Sequence, residues 1–552
     1  MRMKAFLYLS AKKGYNQKET RDSGRGRNKR SIKRMIVLQR IRRLAAAGLA
    51  LLLAGCAAMP SVEEVKENES VITSMEKEPN LSYEVPESSP NILVNQLGYI
   101  RSGTKIAIFC GEEKPSEFYV IEESTGERVF VGRPEDNAAG NENGKQVYYG
   151  DFSEVMAEGA YYLEAPLIGK SYSFLVEEDL YDQVFREACR QYYYNRCGVT
   201  LTADYAGEMA HNACHTSNSV LQEDSSVSID ARGGWHQDEA GSKDVMTAAK
   251  SIGVMLLAYE LYGASFGDDM GIPESENGVP DILDEVKYEI EWLLKMQDPA
   301  TGAVYKGVTV YDQSVGSGTV SYVESGDMGT ASAFAMALAK FSYLYQEYDT
   351  AYATDCLKAA DRAWKYTELN GGREHDADPW KFAAAAELYR ASGLKSCQRF
   401  VTEYLGQEDE RKELDEVTFL GYVAYISTKL PVKIELCEKI AEKLMEKAEE
   451  ISEEARNSDY LVKEGSGNEH NHELLQNMMY LTMVDYMIAN HEYESLIENH
   501  LHYFLGRNPQ AICYINNIGI GNGRPSDDGM GIMKQFEADS KLIFMLSEIV
   551  EK

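Results

Sequence analysis

The chain has 552 residues, 44% hydrophobic and 26% charged with 14 prolines, a composition of globular matter long enough for two or more domains. Its formal net charge of -32 repels polyanions and anionic lipid surfaces, so no nucleic-acid partner is expected and a neutral substrate fits better. Lys and Arg crowd residues 4–43, which leaves the rest of the chain more acidic than the total indicates.

That basic start leads into Leu44-Ala45-Ala46-Ala47-Gly48-Leu49-Ala50-Leu51-Leu52-Leu53, too short to span a bilayer but suited to the apolar core of a signal peptide. It ends in Leu53-Ala54-Gly55-Cys56, which resembles the lipobox of bacterial lipoproteins. The resemblance implies a signal peptide over residues 1–56, lipid on Cys56, and a protein anchored at the extracellular face of the bacterial cell membrane. Met35 is the expected start, since it gives the signal a normal basic flank. An uncleaved anchor helix is the alternative, and it too places the protein outside the cytosol. The other cysteines could pair in an exported protein. Their scatter through apolar helical stretches such as Cys356-Leu357-Lys358-Ala359-Ala360 argues that most are buried thiols.

Residues 57–89 are rich in Glu, Ser and Pro and read as a solvated tether. Over residues 90–178, β-branched or alternating runs at 91–96, 105–109, 117–121, 147–152, 160–164 and 172–176 predict a small β-sandwich of immunoglobulin-like size. From residue 183 onward, apolar residues recur at helical spacing, most clearly over 245–262, 282–296, 330–345, 382–392 and 474–489. An all-α domain of this length suggests a toroid of helical hairpins.

Several motifs then arrive in a fixed order: Asn91-Ile92-Leu93-Val94-Asn95-Gln96-Leu97-Gly98-Tyr99, Tyr192-Tyr193-Tyr194-Asn195-Arg196-Cys197-Gly198, Pro280-Asp281-Ile282-Leu283-Asp284-Glu285, Ala385-Ala386-Glu387-Leu388-Tyr389-Arg390 and Leu505-Gly506-Arg507-Asn508-Pro509. Together they resemble family 9 glycoside hydrolases preceded by an immunoglobulin-like domain. The resemblance implies an (α/α)6 barrel that hydrolyses β-1,4-glucosidic bonds in cellulose or a related β-glucan, usually with inversion at the anomeric carbon.

Cys197, the adjacent Cys214 and His215, and His236 offer two thiolates and two imidazoles, a set that closes a tetrahedral zinc site and selects zinc over harder cations. By spacing alone they could equally be core thiols and capping histidines. Their match to zinc ligands of related family members implies a structural zinc, and the resemblance leaves room for calcium as well.

Inverting hydrolysis needs a carboxylic acid for the leaving oxygen and a carboxylate for water, roughly 6.5–9.5 Å apart. In the family an Asp-Ala-Gly-Asp run follows Gly-Gly-Trp-His; here Gly233-Gly234-Trp235-His236 is followed by Gln237-Asp238-Glu239-Ala240, so Gln237 and Ala240 stand at the two aspartate positions. Asp238, and after it Glu239, are the candidates for a displaced base, or they are solvated loop charges. Glu537 stands where the family acid opens the last helix, with Phe536 in place of the usual asparagine, and the family's His-x-Arg sugar-binding motif is missing. Sugar rings stack on aromatic faces, which singles out Trp235 and Trp380, with Tyr322 and Tyr514 behind them. The altered loop supports a second expectation, a catalytically weakened cell-surface carbohydrate-binding protein on the same scaffold.

Overall fold

The computed structural model describes residues 84, 86, 89–137, 146–311, 320–372, 378–407, 413–488, 490–516, 518, 523–526, 531–532 and 535–551. The expected signal segment with Cys56, and most of the expected tether, lie outside the described residues. No helix among the described residues is long and apolar enough to cross a membrane.

Ten strands build the first layer: β1 (Ile92–Leu93), β2 (Gly98–Ile100), β3 (Ile106–Gly111), β4 (Phe118–Glu122), β5 (Arg128–Gly132), β6 (Glu135–Asp136), β7 (Gln146–Asp151), β8 (Gly159–Ala165), β9 (Gly169–Lys170) and β10 (Phe174–Glu177). They form two sheets, in orders β1-β3-β7-β6 and β2-β10-β8-β4-β5, with β9 paired to β8. Alternation places Ile92, Phe109, Phe118, Val120, Tyr161, Leu163 and Phe174 between them as one core. The expected strand over 91–96 stops at Leu93, because the Asn95 carboxamide oxygen accepts the amides of Leu97 and Gly98 and turns the chain.

Thirteen α-helices follow among the described residues: α1 (Asp182–Tyr194), α2 (Ala203–Ala206), α3 (Val245–Leu261), α4 (Asp281–Lys295), α5 (Met328–Tyr345), α6 (Thr350–Asn370), α7 (Pro379–Ser392), α8 (Lys395–Gln407), α9 (Glu416–Ser427), α10 (Ile434–Arg456), α11 (Asn468–Met487), α12 (Glu494–Phe504) and α13 (Phe536–Glu551). Helices α3, α5, α7, α9, α11 and α13 are buried nearly all round, as the alanines at 331, 333, 335, 337 and 339 of α5 illustrate, so they form the inner ring. The ring closes where α13 packs on α3, while α1, α4, α6, α8, α10 and α12 lie outside, each against an inner helix. Outer helices are amphipathic: α10 buries Cys437, Ile440, Leu444, Ala448 and Ile451, one stripe at helical spacing. The architecture is an (α/α)6 toroid carrying an immunoglobulin-like sandwich.

Aspartates cap the inner helices. Asp244, Asp327, Asp378 and Asp415 accept the first-turn amides of α3, α5, α7 and α9. Those N-termini converge on one mouth: Lys250 of α3 reaches Glu416 of α9 and Glu537 of α13, and Gly329 of α5 lies beside Met246 and Asp378. A feature absent from the sequence reading is a five-stranded sheet at that mouth, built from β11 (Ser219–Leu221), β12 (Ser228–Ile229), β13 (Lys243–Asp244), β14 (Gly307–Tyr311) and β15 (Val320–Glu324) in the order β12-β11-β15-β14-β13. Its strands are two to five residues long and come from two connections, α2–α3 and α4–α5, so no local periodicity announces it.

The sandwich is fastened to the barrel by the Leu505-Gly506-Arg507-Asn508 motif. Gln96 donates its backbone amide to Leu505 O at 2.8 Å and its carboxamide to Ala511 O at 2.8 Å. Arg507, fully buried, donates to Ile106 O and to the Asn499 side chain, while Asn95 Nδ2 lies 3.0 Å from His502 Nδ1. Burial holds His502 well below the usual imidazole range and pushes the neighbouring His500 down from 6.5 to about 4. The folded chain therefore takes a proton on His500 only near pH 4, whereas the unfolded chain takes it near 6.5. Stability from this group is complete above pH 6.5 and is lost as the pH falls towards 4, a difference worth about 3 kcal/mol. Denaturant titrations at pH 7.5 and pH 4 should show wild type losing that much more than His500→Gln; equal losses would place the acid sensitivity elsewhere.

Candidate active site and metal centre

The loop from Gly233 to Asp244 is anchored from below by two glutamates of α4. Glu289 accepts the Trp235 amide at 2.6 Å and Glu285 accepts the Trp235 indole N–H at 2.6 Å, while Arg196 pairs with Glu285 at 3.0 Å. Burial pushes the Glu289 carboxyl up to about 8 and raises Glu285 as well. Gly234 sits at φ 73°, where an added Cβ would fall 2.7 Å from Trp292 and 2.9 Å from Glu289, so only glycine fits over this floor. Trp235 itself is 0% exposed, packed against Tyr192 and Phe536. This corrects the expectation of a sugar platform: an indole with both its N–H and its faces taken by the core has no surface left for a ring. Trp380 is 9% exposed and also lies in the core cluster, so it too fails as an open platform, as does Tyr514 at 4%.

The same anchoring presents the metal-ligand candidates. Cys197 N donates to Gly234 O and His236 N to Asn195 O, which zips the end of α1 to the loop. Cys214 and His215 enter from the segment after α2, His215 at a left-handed φ of 44°. The ligand atoms of Cys197, Cys214, His215 and His236 all lie within 4.8 Å of one another. Cys197 Sγ is 3.6 Å from His215 Nδ1, and Cys214 Sγ is 3.3 Å from His236 Nε2. The hydrogen bond from the Cys197 thiol, with His236 beside it, holds Cys214 far below the usual thiol range. Two soft sulfurs and two imidazoles converging in a partly buried pocket fit a closed tetrahedral cation site with no position left for substrate. Lys243 stands behind them, bonded to Ala231 O and Gly233 O and 3.7 Å from Cys197 Sγ.

Beyond His236 the loop departs from an aspartate-bearing one. The Gln237 side chain accepts from Asp244 N at 2.8 Å and donates to Asp244 O at 3.0 Å, a two-way clasp that needs both a donor and an acceptor. Ala240 is exposed. Asp238 is exposed, spends one oxygen on the Ser242 amide at 2.8 Å, and lines a cavity of about 370 Å³ together with Asp244, Thr309 and Glu324. Glu239 is exposed and does not line that cavity.

Glu537 opens α13 at the same mouth. Its Oε2 lies 2.9 Å from Lys250, which also faces Glu416 at 3.7 Å; Glu416 in turn pairs with Lys541. Phe536 points into the Tyr192–Trp235 cluster rather than over the carboxyl. Sequence reasoning missed Lys250, Glu416 and Lys541, although the four-residue spacing of Glu537 and Lys541 at a helix start was visible.

The profile of the family described as Glycosyl hydrolase family 9 matches residues 181–527, and that of the Cellulase N-terminal ig-like domain matches residues 87–170. The chain is 28% identical over 468 residues to Endoglucanase D of Acetivibrio thermocellus, covering 78% of this chain and 73% of that protein. It is 27% identical over 482 residues to a Cellodextrinase of Butyrivibrio fibrisolvens, covering 78% and 85%. In fold it superposes on a metagenome-derived glycoside hydrolase family 9 endoglucanase with a TM-score of 0.74 at 24% identity, covering 84% of this chain and 99% of that one. With the toroid, the sandwich in front of it and a profile match over most of its length, the chain belongs to glycosyl hydrolase family 9 and is a glycoside hydrolase carrying an N-terminal immunoglobulin-like domain.

Proposed function

We propose that this hydrolase cleaves β-1,4-glucosidic bonds of cellulose or a related β-glucan, with inversion, at the mouth of the toroid. The observation that carries the reading is the meeting at that mouth of a carboxylate-lined cavity, bordered by Asp238, Asp244 and Glu324, with Glu537 at the first turn of α13. The activities named for Endoglucanase D and the Cellodextrinase support the substrate class. Glu537 is the acid in this scheme and protonates the glycosidic oxygen as its bond to the anomeric carbon breaks. A second reading, a surface carbohydrate-binding protein of weakened activity, draws on Gln237 and Ala240, neither of which can take a proton from water. In both readings Cys56 carries the lipid that holds the chain at the cell surface.

The metal centre is a structural zinc held by Cys197, Cys214, His215 and His236; its ligands tie the end of α1 to the loop that borders the cavity, and zinc supplies cross-linking rather than chemistry. No separate donor set is assigned to calcium. Elemental analysis of metal-replete protein is expected to find about one zinc per chain. Cys214→Ala should lose the zinc and melt several degrees lower, and unchanged metal content would remove the centre.

A release assay against β-glucans, xylan and mannan should detect new reducing ends from a β-1,4-glucan, first appearing as the α anomer by NMR. Glu537→Gln should lower turnover by about 100-fold or more while binding persists. Sugar binding without turnover on any glucan would transfer the assignment to the binding protein.

A further inference from the structure

The three-stranded part of the mouth sheet brings together groups that lie far apart in the chain. Asp244 on β13 stands opposite Gly307 on β14, which stands opposite Glu324 on β15. Residues directly opposed across antiparallel strands share a face, so the two carboxylates flank a position that has no side chain. Glycine is required there, because a Cβ on Gly307 would fall 2.1 Å from Lys243 O. Two residues along the same face, Tyr322 stands opposite Thr309, and its ring meets the half-exposed ring of Tyr311 edge-on at 5.8 Å. One sheet face thus holds two carboxylates on strands whose backbones approach closely at Gly307 and, beside them, partly exposed tyrosine rings of the kind on which sugars stack.

The three carboxylates of the cavity are not equivalent. Asp244 is committed to the Thr247 amide as the cap of α3, and Asp238 holds the Ser242 amide in an exposed turn. Glu324 stands on a strand rather than at a helix cap or in a turn, and it is oriented by the Thr309 hydroxyl and by Lys306 at 3.5 Å. We propose that Glu324 is the base that activates water in place of the missing family aspartates, with Tyr322 as the stacking platform that positions the sugar. The inference rests on the hydrolase reading above. Glu324 takes one proton from water, the water oxygen bonds to the anomeric carbon as the bond to the leaving oxygen breaks, and that oxygen takes its proton from Glu537. The products are a hemiacetal and an alcohol, and the proton on Glu324 returns through solvent to Glu537.

The test is steady-state kinetics on cello-oligosaccharides with wild type, Glu324→Gln, Glu324→Ala, Asp238→Asn and Tyr322→Ala. Glu324→Gln is expected to lose about 100-fold or more in kcat with little change in KM, and Tyr322→Ala to raise KM more than it lowers kcat. Added azide should restore turnover to Glu324→Ala by attacking the anomeric carbon directly, yielding an α-glycosyl azide, a rescue that a merely structural role would not permit. Glu324→Gln within about threefold of wild type, or azide rescue of an Asp238 variant instead, overturns the base assignment and leaves the hydrolase reading intact. A wild type without turnover removes both.

Discussion

The site depends on two buried glutamates one turn apart on α4. Glu285 and Glu289 face the loop from Gly233 to Asp244, and each takes one N–H of Trp235, so the loop's indole is drawn into the core. Burying two carboxylates costs free energy unless each is met by donors or charge. Arg196 meets one, and Lys243, seated beneath the loop, offsets the charge of the other. Because Arg196 precedes Cys197, and Trp235 precedes His236, the same contacts that satisfy the glutamates also bring two of the four metal-ligand candidates together. The loop's path, the convergence of the metal-ligand candidates and the cavity border follow from this one arrangement.

The family motifs that survive in this chain are mostly architectural. Glu387 and Arg390 form an ion-pair network with Glu260 and Lys340 between inner helices, far from any sugar role. Arg507 and Asn508 close the turn on which the sandwich docks. Gln237 belongs with them: its clasp on Asp244 holds the loop where an aspartate at the same place would leave one half of the clasp unmade. Scaffold and chemistry are thereby uncoupled, and the barrel persists with a changed set of carboxylates at its mouth.

Inner helices were legible because burial on all sides demands long apolar runs, and outer helices because their stripes repeat at 3.6 residues. The order of sandwich and toroid was legible for the same reason, whereas the two cysteines and two histidines stood out as a set only through the family resemblance, since spacing alone left them equally as core thiols and capping histidines. Trp235 was misread because an aromatic residue beside a functional loop looks the same in sequence whether its ring faces solvent or the core; the acceptors on α4 decide that, and they lie about 50 residues away. The mouth sheet was invisible because strands of two to five residues from two inter-helix connections carry no period.

What the sequence determined by itself is therefore the kind of each element and the list of groups able to do chemistry. Hydrophobic periodicity and side-chain type are local properties and can be read along the chain. Which carboxylate caps a helix, which is held by lysine and which stands on an open sheet face was decided only in three dimensions. Asp244, Glu537 and Glu324 are all acidic residues at or just before the start of an inner helix, and nothing local separates them. Their partners, Thr247 for the first, Lys250 from a distant helix for the second, and Thr309 across a strand pair for the third, are set by packing, and it is the partner that decides what a carboxylate can do.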